Sequence, residues 1–134
     1  ALKQNNCEDI RIFAKIENMT GVEHLEELIP YCDYIVIARG DLGNVMPLSE
    51  LPKVQAYIAK VCKEHNKNFM VVTQMLDSMI RNPYPTRAEV NDIYHAVHQG
   101  AKALMLTGET AHGRYPVEAM KMLVETANGS LEEL

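Results

Sequence analysis

Four short runs rich in β-branched and apolar residues, at Ile10–Ile16, Tyr34–Ala38, Phe69–Thr73 and Ala103–Leu106, recur along the chain and constrain its fold more than any other feature. Each is nearly continuous in apolar character rather than alternating, the pattern of a strand buried on both faces of a parallel sheet. Helical patterns fill the intervals. Thr20 is placed to cap a helix over Gly21–Ile29, with Val22, Leu25 and Leu28/Ile29 on one stripe. Pro52–Cys62 carries Val54, Tyr57/Ile58 and Val61/Cys62 at the same spacing. Thr86-Arg87-Ala88-Glu89 is a capping box, opening a helix that carries Val90, Ile93, Tyr94 and Val97 and stops at Gly100. Pro116 suits a first helical turn, Val117, Met120 and Leu123/Val124 form the stripe, and Gly129 ends it.

The order β-α-β-α-β-α-β-α predicts an α/β fold with a parallel sheet and right-handed crossovers. Arg39, Thr73 and Thr107, each near the end of its strand, stand 34 residues apart in both intervals, a structural rhythm rather than a repeated sequence. That rhythm belongs to a (β/α) barrel or a doubly wound sheet. A full eight-fold barrel takes ~250 residues, so 134 residues in four strand–helix units make half of a TIM-type (β/α)8 barrel. No linker-like stretch divides residues 1–134, which read as one partial barrel domain. The chain opens on Ala1 without an initiator Met, so processing or truncation upstream is expected.

Composition narrows the function classes. With 47% apolar and 23% charged residues the chain is of ordinary globular type. Its net charge of −5, with no Lys/Arg block, speaks against nucleic acid or an anionic membrane as partner. No apolar run approaches the ~20 residues of a membrane span. Three scattered cysteines, Cys7, Cys32 and Cys62, lack a C-x-x-C pair and read as small hydrophobes in a reducing cytoplasm.

The polar residues that interrupt the apolar runs gather where strands end. The first run ends Lys15-Ile16-Glu17-Asn18, the second Arg39-Gly40-Asp41-Leu42-Gly43, the third Thr73-Gln74-Met75 and the fourth Thr107-Gly108-Glu109-Thr110. In a parallel α/β sheet these carboxyl ends form the rim where ligands bind. Lys15 and Glu17, two apart on a strand, point to one side, and Arg39 and Asp41 share a parity. Glu17 and Asp41 offer hard oxygen ligands with open positions, which suits Mg²⁺ or Mn²⁺. Lys15 beside them supplies a fixed positive charge able to stabilise a transferring phosphoryl group or a developing enolate. An ordinary strand-end ion pair for Lys15–Glu17 and a turn cap for Asp41 are the plainer alternative.

Other features take the plain reading. The eight Met residues are core filler. His24, His65, His95 and His98 have no ligand-spaced partner, and His112 faces solvent. The Thr107–Gly113 turn is either a phosphate-binding backbone nest or a simple tight connection. Arg81–Arg87, with Pro83 and Pro85 inside it, is a rigid loop suited to interface packing or ligand binding alike.

Taken in order, Lys15-Ile16-Glu17-Asn18, Ala38-Arg39-Gly40-Asp41-Leu42-Gly43, Thr73-Gln74-Met75-Leu76-Asp77-Ser78-Met79, Pro85-Thr86-Arg87-Ala88-Glu89, and Gly108-Glu109-Thr110-Ala111 with Tyr115-Pro116 resemble the motifs of the pyruvate kinase family in its order and spacing. The resemblance implies a cytoplasmic glycolytic phosphotransferase that moves the phosphoryl group of phosphoenolpyruvate to ADP, giving pyruvate and ATP. By that similarity Lys15 stabilises charge on the phosphoryl group and the enolate, and Glu17 and Asp41 hold Mg²⁺ or Mn²⁺. The Gly40 and Asp41 backbone and the Thr73 hydroxyl receive the substrate's carboxylate. Thr107 and Glu109 match a family motif without an assigned role.

The resemblance maps the chain onto the second half of the family's catalytic barrel. It leaves out the first four strands with their phosphate and K⁺ contacts, the lid domain and the carboxyl-terminal regulatory domain. The expectation is therefore a family fragment inactive by itself, because phosphoryl transfer depends on positioning by many groups. Asn44-Val45-Met46-Pro47 departs from the family pattern by placing Val45 where an acid is usual, and Asn91 and Tyr94-His95 depart further on. Two other functions stay open: a non-catalytic Mg²⁺-binding or assembly half-barrel, and a metal-dependent aldolase or lyase working through a pyruvate enolate. The two open strand edges predict a homodimer.

Overall fold

In the computed structural model, which describes Gln4 and residues 7–132, four strands form one parallel sheet in the order β1-β2-β3-β4. They are β1 (Phe13–Ile16), β2 (Tyr34–Ala38), β3 (Asn68–Val72) and β4 (Ala103–Met105). Every strand pairs with its successor in sequence, so the sheet grows as one arc, the arrangement of half a (β/α)8 barrel. Lys15 stands opposite Val36, Val36 opposite Met70 and Met70 opposite Ala103. Alternate rows face opposite ways. Ile16, Ile35, Ile37, Phe69 and Val71 join the main core with Leu25, Ile58, Ile93 and Leu123 from the helices. Val36, Ala38 and Val72 form a second, smaller cluster with Met70 against it. Both faces are apolar, which is why the strand runs do not alternate.

Between β1 and β2 lie α1 (Met19–Glu23), α2 (Leu25–Leu28) and a 3₁₀ turn at Ile29–Tyr31. The single helix expected over Gly21–Ile29 is thus split, and its cap is Asn18 rather than Thr20. The Asn18 side chain accepts from the Gly21 N–H at 2.9 Å, so the helix begins two residues early. His24 breaks it, and Pro30 tightens the end into the 3₁₀ turn. The first strand is also shorter than Ile10–Ile16. Asp33 draws the Ile12 N–H to its side chain at 2.7 Å and Arg11 to it at 3.1 Å, which takes this segment out of the regular ladder. That Ile12 hydrogen bond, followed by the one from Arg11, holds the Asp33 carboxyl below the usual range.

After β2 the chain enters α3 (Arg39–Val45) directly, then a 3₁₀ turn at Leu48–Glu50 and α4 (Leu51–Glu64). The Gly-bearing stretch expected as a loop is helical, so Arg39 and Asp41 do not share a face. In a helix, residues two apart diverge. Gly100, at φ 97°, reverses the chain after α5 (Arg87–His98). Beyond β4 come α6 (Gly108–Ala111) and α7 (Pro116–Gly129), with Pro116 in the first turn. Of the methionines, Met75 and Met79 are core filler, but Met19, Met105 and Met120 are exposed, the last two on the last strand and last helix. Cys32 and Cys62 are buried, and burial pushes the Cys62 thiol up to about 11, leaving an unreactive small hydrophobe. No helix among the described residues is long and apolar enough to cross a membrane.

The capping box at Thr86 forms as the sequence predicts, and Glu89 does more than cap. One carboxylate oxygen accepts from the Thr86 N–H at 2.7 Å and the Ser78 hydroxyl at 2.6 Å, and the other from the Ser78 N–H at 2.7 Å. Burial pushes the Glu89 carboxyl up, but these bonds outweigh it and hold its pKa below the ordinary 4.5. A folded-state value below the unfolded one means that Glu89 stabilises the fold fully above the ordinary value and loses that contribution as pH falls through the folded one. Glu89→Gln is accordingly expected to lower the urea midpoint at neutral pH. The gap to wild type should close as pH falls below the ordinary value of 4.5 and through the lower folded-state value. A gap that is constant with pH would assign the effect to shape rather than charge.

Candidate active site at the carboxyl ends of the strands

The end of β1 and the first turn of α3 bring three of the expected residues together. Lys15 Nζ lies 2.5 Å from a Glu17 oxygen and 3.6 Å from an Asp41 oxygen. The Glu17 hydrogen bond first, then its charge and that of Asp41, raise the Lys15 pKa, so the ammonium is fixed in its charged form. All three side chains are about half exposed, at 54%, 45% and 53%. Two carboxylates facing the same ammonium are hard-oxygen donors, the ligand type that Mg²⁺ or Mn²⁺ takes. Among the described residues no group of three or more His, Cys, Asp or Glu is placed to enclose a metal by itself.

The remaining expected residues, Gly40 and Thr73, meet beside this cluster. A Cβ on Gly40 would sit 2.8 Å from Thr73 Cγ2, so only glycine lets the start of α3 approach the end of β3 this closely. Thr73 and Gln74 both hold left-handed backbone, at φ 77° and 54°. For a β-branched residue this is a strained state, costing on the order of 1–3 kcal/mol, and such strain persists only where surroundings over-determine it. No side chain caps α3, whose first-turn N–H groups have no partner within the helix.

The over-determination comes from residues whose work the sequence reading did not identify. Arg39, with its side chain only 12% exposed, donates to the Thr73 carbonyl through Nε at 3.2 Å and Nη2 at 2.7 Å. Its Nη1 binds both carboxylate oxygens of Asp92, on α5, at 2.8 and 2.7 Å. Glu109, 1% exposed, accepts from the Leu76 N–H at 3.0 Å and the Thr107 N–H at 2.8 Å. Thr107 thus gives its backbone to Glu109 rather than a side chain to the Lys15 cluster. Glu109 is the tie between two rim turns and gives the Thr107–Gly113 turn a structural role. Asp92 had one legible sign, an acid next to the buried Ile93 on an otherwise regular helix stripe. Val45 ends α3 and is 55% exposed.

The opposite end of the sheet offers a cleft of about 220 Å³ lined by Lys63, Lys67, Lys102 and His98. Both α4 and α5 end there, and lysines at helix carboxyl ends complement the carbonyl dipoles. Lys67 is already spent on the Cys32 carbonyl at 2.5 Å. The lysine charges there complement the fold rather than the rim chemistry.

Comparison with known proteins identifies the family to which this barrel segment belongs. A family model described as pyruvate kinase, barrel domain, matches residues 1–120. The pyruvate kinase of Clostridium acetobutylicum is 44% identical over 133 residues, covering 99% of this chain and 28% of that protein. That of Thermotoga maritima is 48% identical over 126 residues, covering 94% and 27%. A crystal structure of a pyruvate kinase from Cryptosporidium parvum superimposes with a TM-score of 0.90 at 35% identity, covering 96% of this chain and 26% of that one. The chain spans roughly a quarter of the length of these relatives.

Proposed function

Because the chain belongs to the pyruvate kinase family through its barrel domain, we propose that it carries the metal and carboxylate side of a site that transfers the phosphoryl group of phosphoenolpyruvate to ADP, residues 1–134 forming a partial barrel domain. The observation that supports this is the Lys15–Glu17–Asp41 cluster next to the Gly40–Thr73 contact. In this reading the Lys15 ammonium neutralises charge on the phosphoryl group as it leaves and on the enolate oxygen left behind. Glu17 and Asp41 hold Mg²⁺ or Mn²⁺. A divalent ion there would supply Lewis-acid polarisation of substrate oxygens. The Gly40 and Asp41 N–H groups and the Thr73 hydroxyl receive the carboxylate and fix the substrate's orientation. Binding of ATP, a K⁺ requirement met by residues outside this chain, and a cytoplasmic location belong to the same proposal.

A second reading is favoured by the half-exposed state of the three charged groups. Phosphoryl transfer requires a closed, water-poor site, and this rim is open. By itself the chain then acts as a Mg²⁺-binding half-barrel that turns nothing over. The relatives above are all pyruvate kinases, which favours either reading over an aldolase or lyase. We propose in addition that the open arc associates as a homodimer.

Titration of Mn²⁺ into the wild-type chain and Glu17→Ala tests the metal assignment. Loss of a direct ligand is expected to weaken binding by at least the roughly 10–100-fold that even an outer-shell partner is worth. Equal, negligible binding by both proteins would remove the metal site. Pyruvate formation from phosphoenolpyruvate and ADP, with Mg²⁺ and K⁺, is expected to be absent. Turnover lost in Lys15→Ala would instead show that the half-barrel builds a working site unaided.

A further inference from the structure

We propose that Arg39 and Glu109 are positioning residues: together they lock the turn after β3 in the conformation that presents the Thr73 hydroxyl to the substrate carboxylate. The inference rests on the reading above that Thr73 meets that carboxylate.

The turn is gripped at two points by side chains from two other elements. At one end, α3 sends Arg39 to the Thr73 carbonyl with two hydrogen bonds, while Asp92 from α5 takes the rest of the guanidinium and fixes its plane. Arg39 Nη2 also lies 3.0 Å from Met75 Sδ, so the guanidinium spans the turn rather than touching one atom of it. Three residues on, α6 sends the buried Glu109 carboxylate to the Leu76 N–H and anchors it against the Thr107 N–H of the neighbouring rim turn. Between these grips lie the two consecutive left-handed residues, Thr73 and Gln74. Two non-glycine residues in that region have no intrinsic reason to remain there, and a turn free to relax would carry the Thr73 hydroxyl away from Gly40.

Chemistry selects the residue types. A carbonyl and a carboxylate on different elements need a planar fork with donors on several edges, which Arg supplies and Lys does not. Two backbone N–H donors facing one another across the rim need an acceptor-only group with two oxygens, which is an ionised Glu. Gln at position 109 satisfies one N–H and turns its own NH₂ toward the other. Neither Arg39 nor Glu109 is assigned any contact with substrate, and both act through Thr73.

The test uses the 134-residue chain, wild type and the variants Arg39→Lys and Glu109→Gln, with Asp92→Asn as a milder third variant that keeps an acceptor for Arg39. Mn²⁺ and pyruvate are the probes. Mn²⁺ affinity is measured alone, and pyruvate affinity with Mn²⁺ saturating, by amide chemical shifts outside the paramagnetic zone and by water relaxation. The expected result is a split: pyruvate affinity falls about tenfold, Mn²⁺ affinity stays within about twofold, and amide exchange at Thr73 and Gln74 accelerates. A purely structural role would weaken both ligands in proportion to the unfolded fraction, and that outcome overturns the proposal. So does unchanged pyruvate affinity in all three variants, which leaves the metal and carboxylate reading intact. Wild-type chain that takes up Mn²⁺ but no pyruvate overturns the Thr73 assignment and this inference with it.

Discussion

Arg39→Ala is expected to destabilise the fold by about 3 kcal/mol, the scale of breaking a desolvated ion pair from one side. The substitution removes more than a charge. Asp92 keeps its carboxylate against α5 with its bidentate partner gone, and the Thr73 carbonyl loses both of its Arg39 donors. Arg39 is 12% exposed and Asp92 32%, so water reaches Asp92 in part, and the cost falls toward the lower end of the buried range rather than into that of surface pairs. In urea this corresponds to a midpoint lowered by roughly 1–2 M. Arg39→Lys should recover part of the loss, because it restores the charge for Asp92 without the fork for Thr73. A midpoint shift below about 0.5 M for Arg39→Ala would place the pair among ordinary surface contacts, which contribute about 0–1 kcal/mol. The strain at Thr73 and Gln74 would then need another source of support.

The contrast between Arg39 and Lys15 shows what a sequence makes legible and what it hides. Lys15 and Glu17 sit at the end of β1 and Asp41 in the helical turn that follows β2, and the parallel α/β arrangement brings these segments to one rim. Local pattern therefore suffices to locate their cluster. Arg39 stands at an equivalent strand end but turns into the protein, toward an acid 53 positions away on α5. Nothing in local periodicity pairs those two residues, since the partnership exists only once α5 has packed. Glu109 repeats the lesson. In the Thr-Gly-Glu-Thr turn, the bond from the Leu76 N–H to the Glu109 carboxylate spans 33 positions and has no local signature.

Element boundaries failed for a related reason. Hydrophobic stripes identified α4, α5 and α7, but where a segment starts is set by competition among polar side chains. Asn18 outcompeted Thr20 because it stands at the strand end, where its oxygen reaches a first-turn N–H. Asp33 captured the Ile12 N–H that the run Ile10–Ile16 had assigned to the strand. The helical start of α3 was concealed by Gly40 and Gly43, which suggest a loop. Here Gly40 serves a close approach to Thr73 instead.

The chain is expected to scatter light as a dimer, at twice 15.1 kDa, at micromolar concentration. Among the described residues β1 and β4 each pair on one side only, so two rows of backbone donors and acceptors are left open at the ends of the arc. Apolar side chains accompany them: Phe13 is 45% exposed beside one edge and Met105 41% beside the other. Next to β4, Leu104, Leu123, Met120 and Leu131 line a groove of about 480 Å³. The accessible surface is 8797 Å², against about 7,100 Å² for a compact chain of this mass. The excess, about 1,700 Å² on one chain, is about twice the roughly 800 Å² that each partner buries in an interface of standard size. Met105→Lys puts a charge at the β4 edge and is expected to yield monomer if the edges pair, because an edge lysine opposes strand addition. Val124→Glu should do so instead if the outer face of α7, where Val117, Met120 and Val124 are 59%, 45% and 48% exposed, is the contact. A clean monomer for the wild type across the micromolar range would sink both routes. The arc would then be stable with its edges solvated, held by the core between sheet and helices alone.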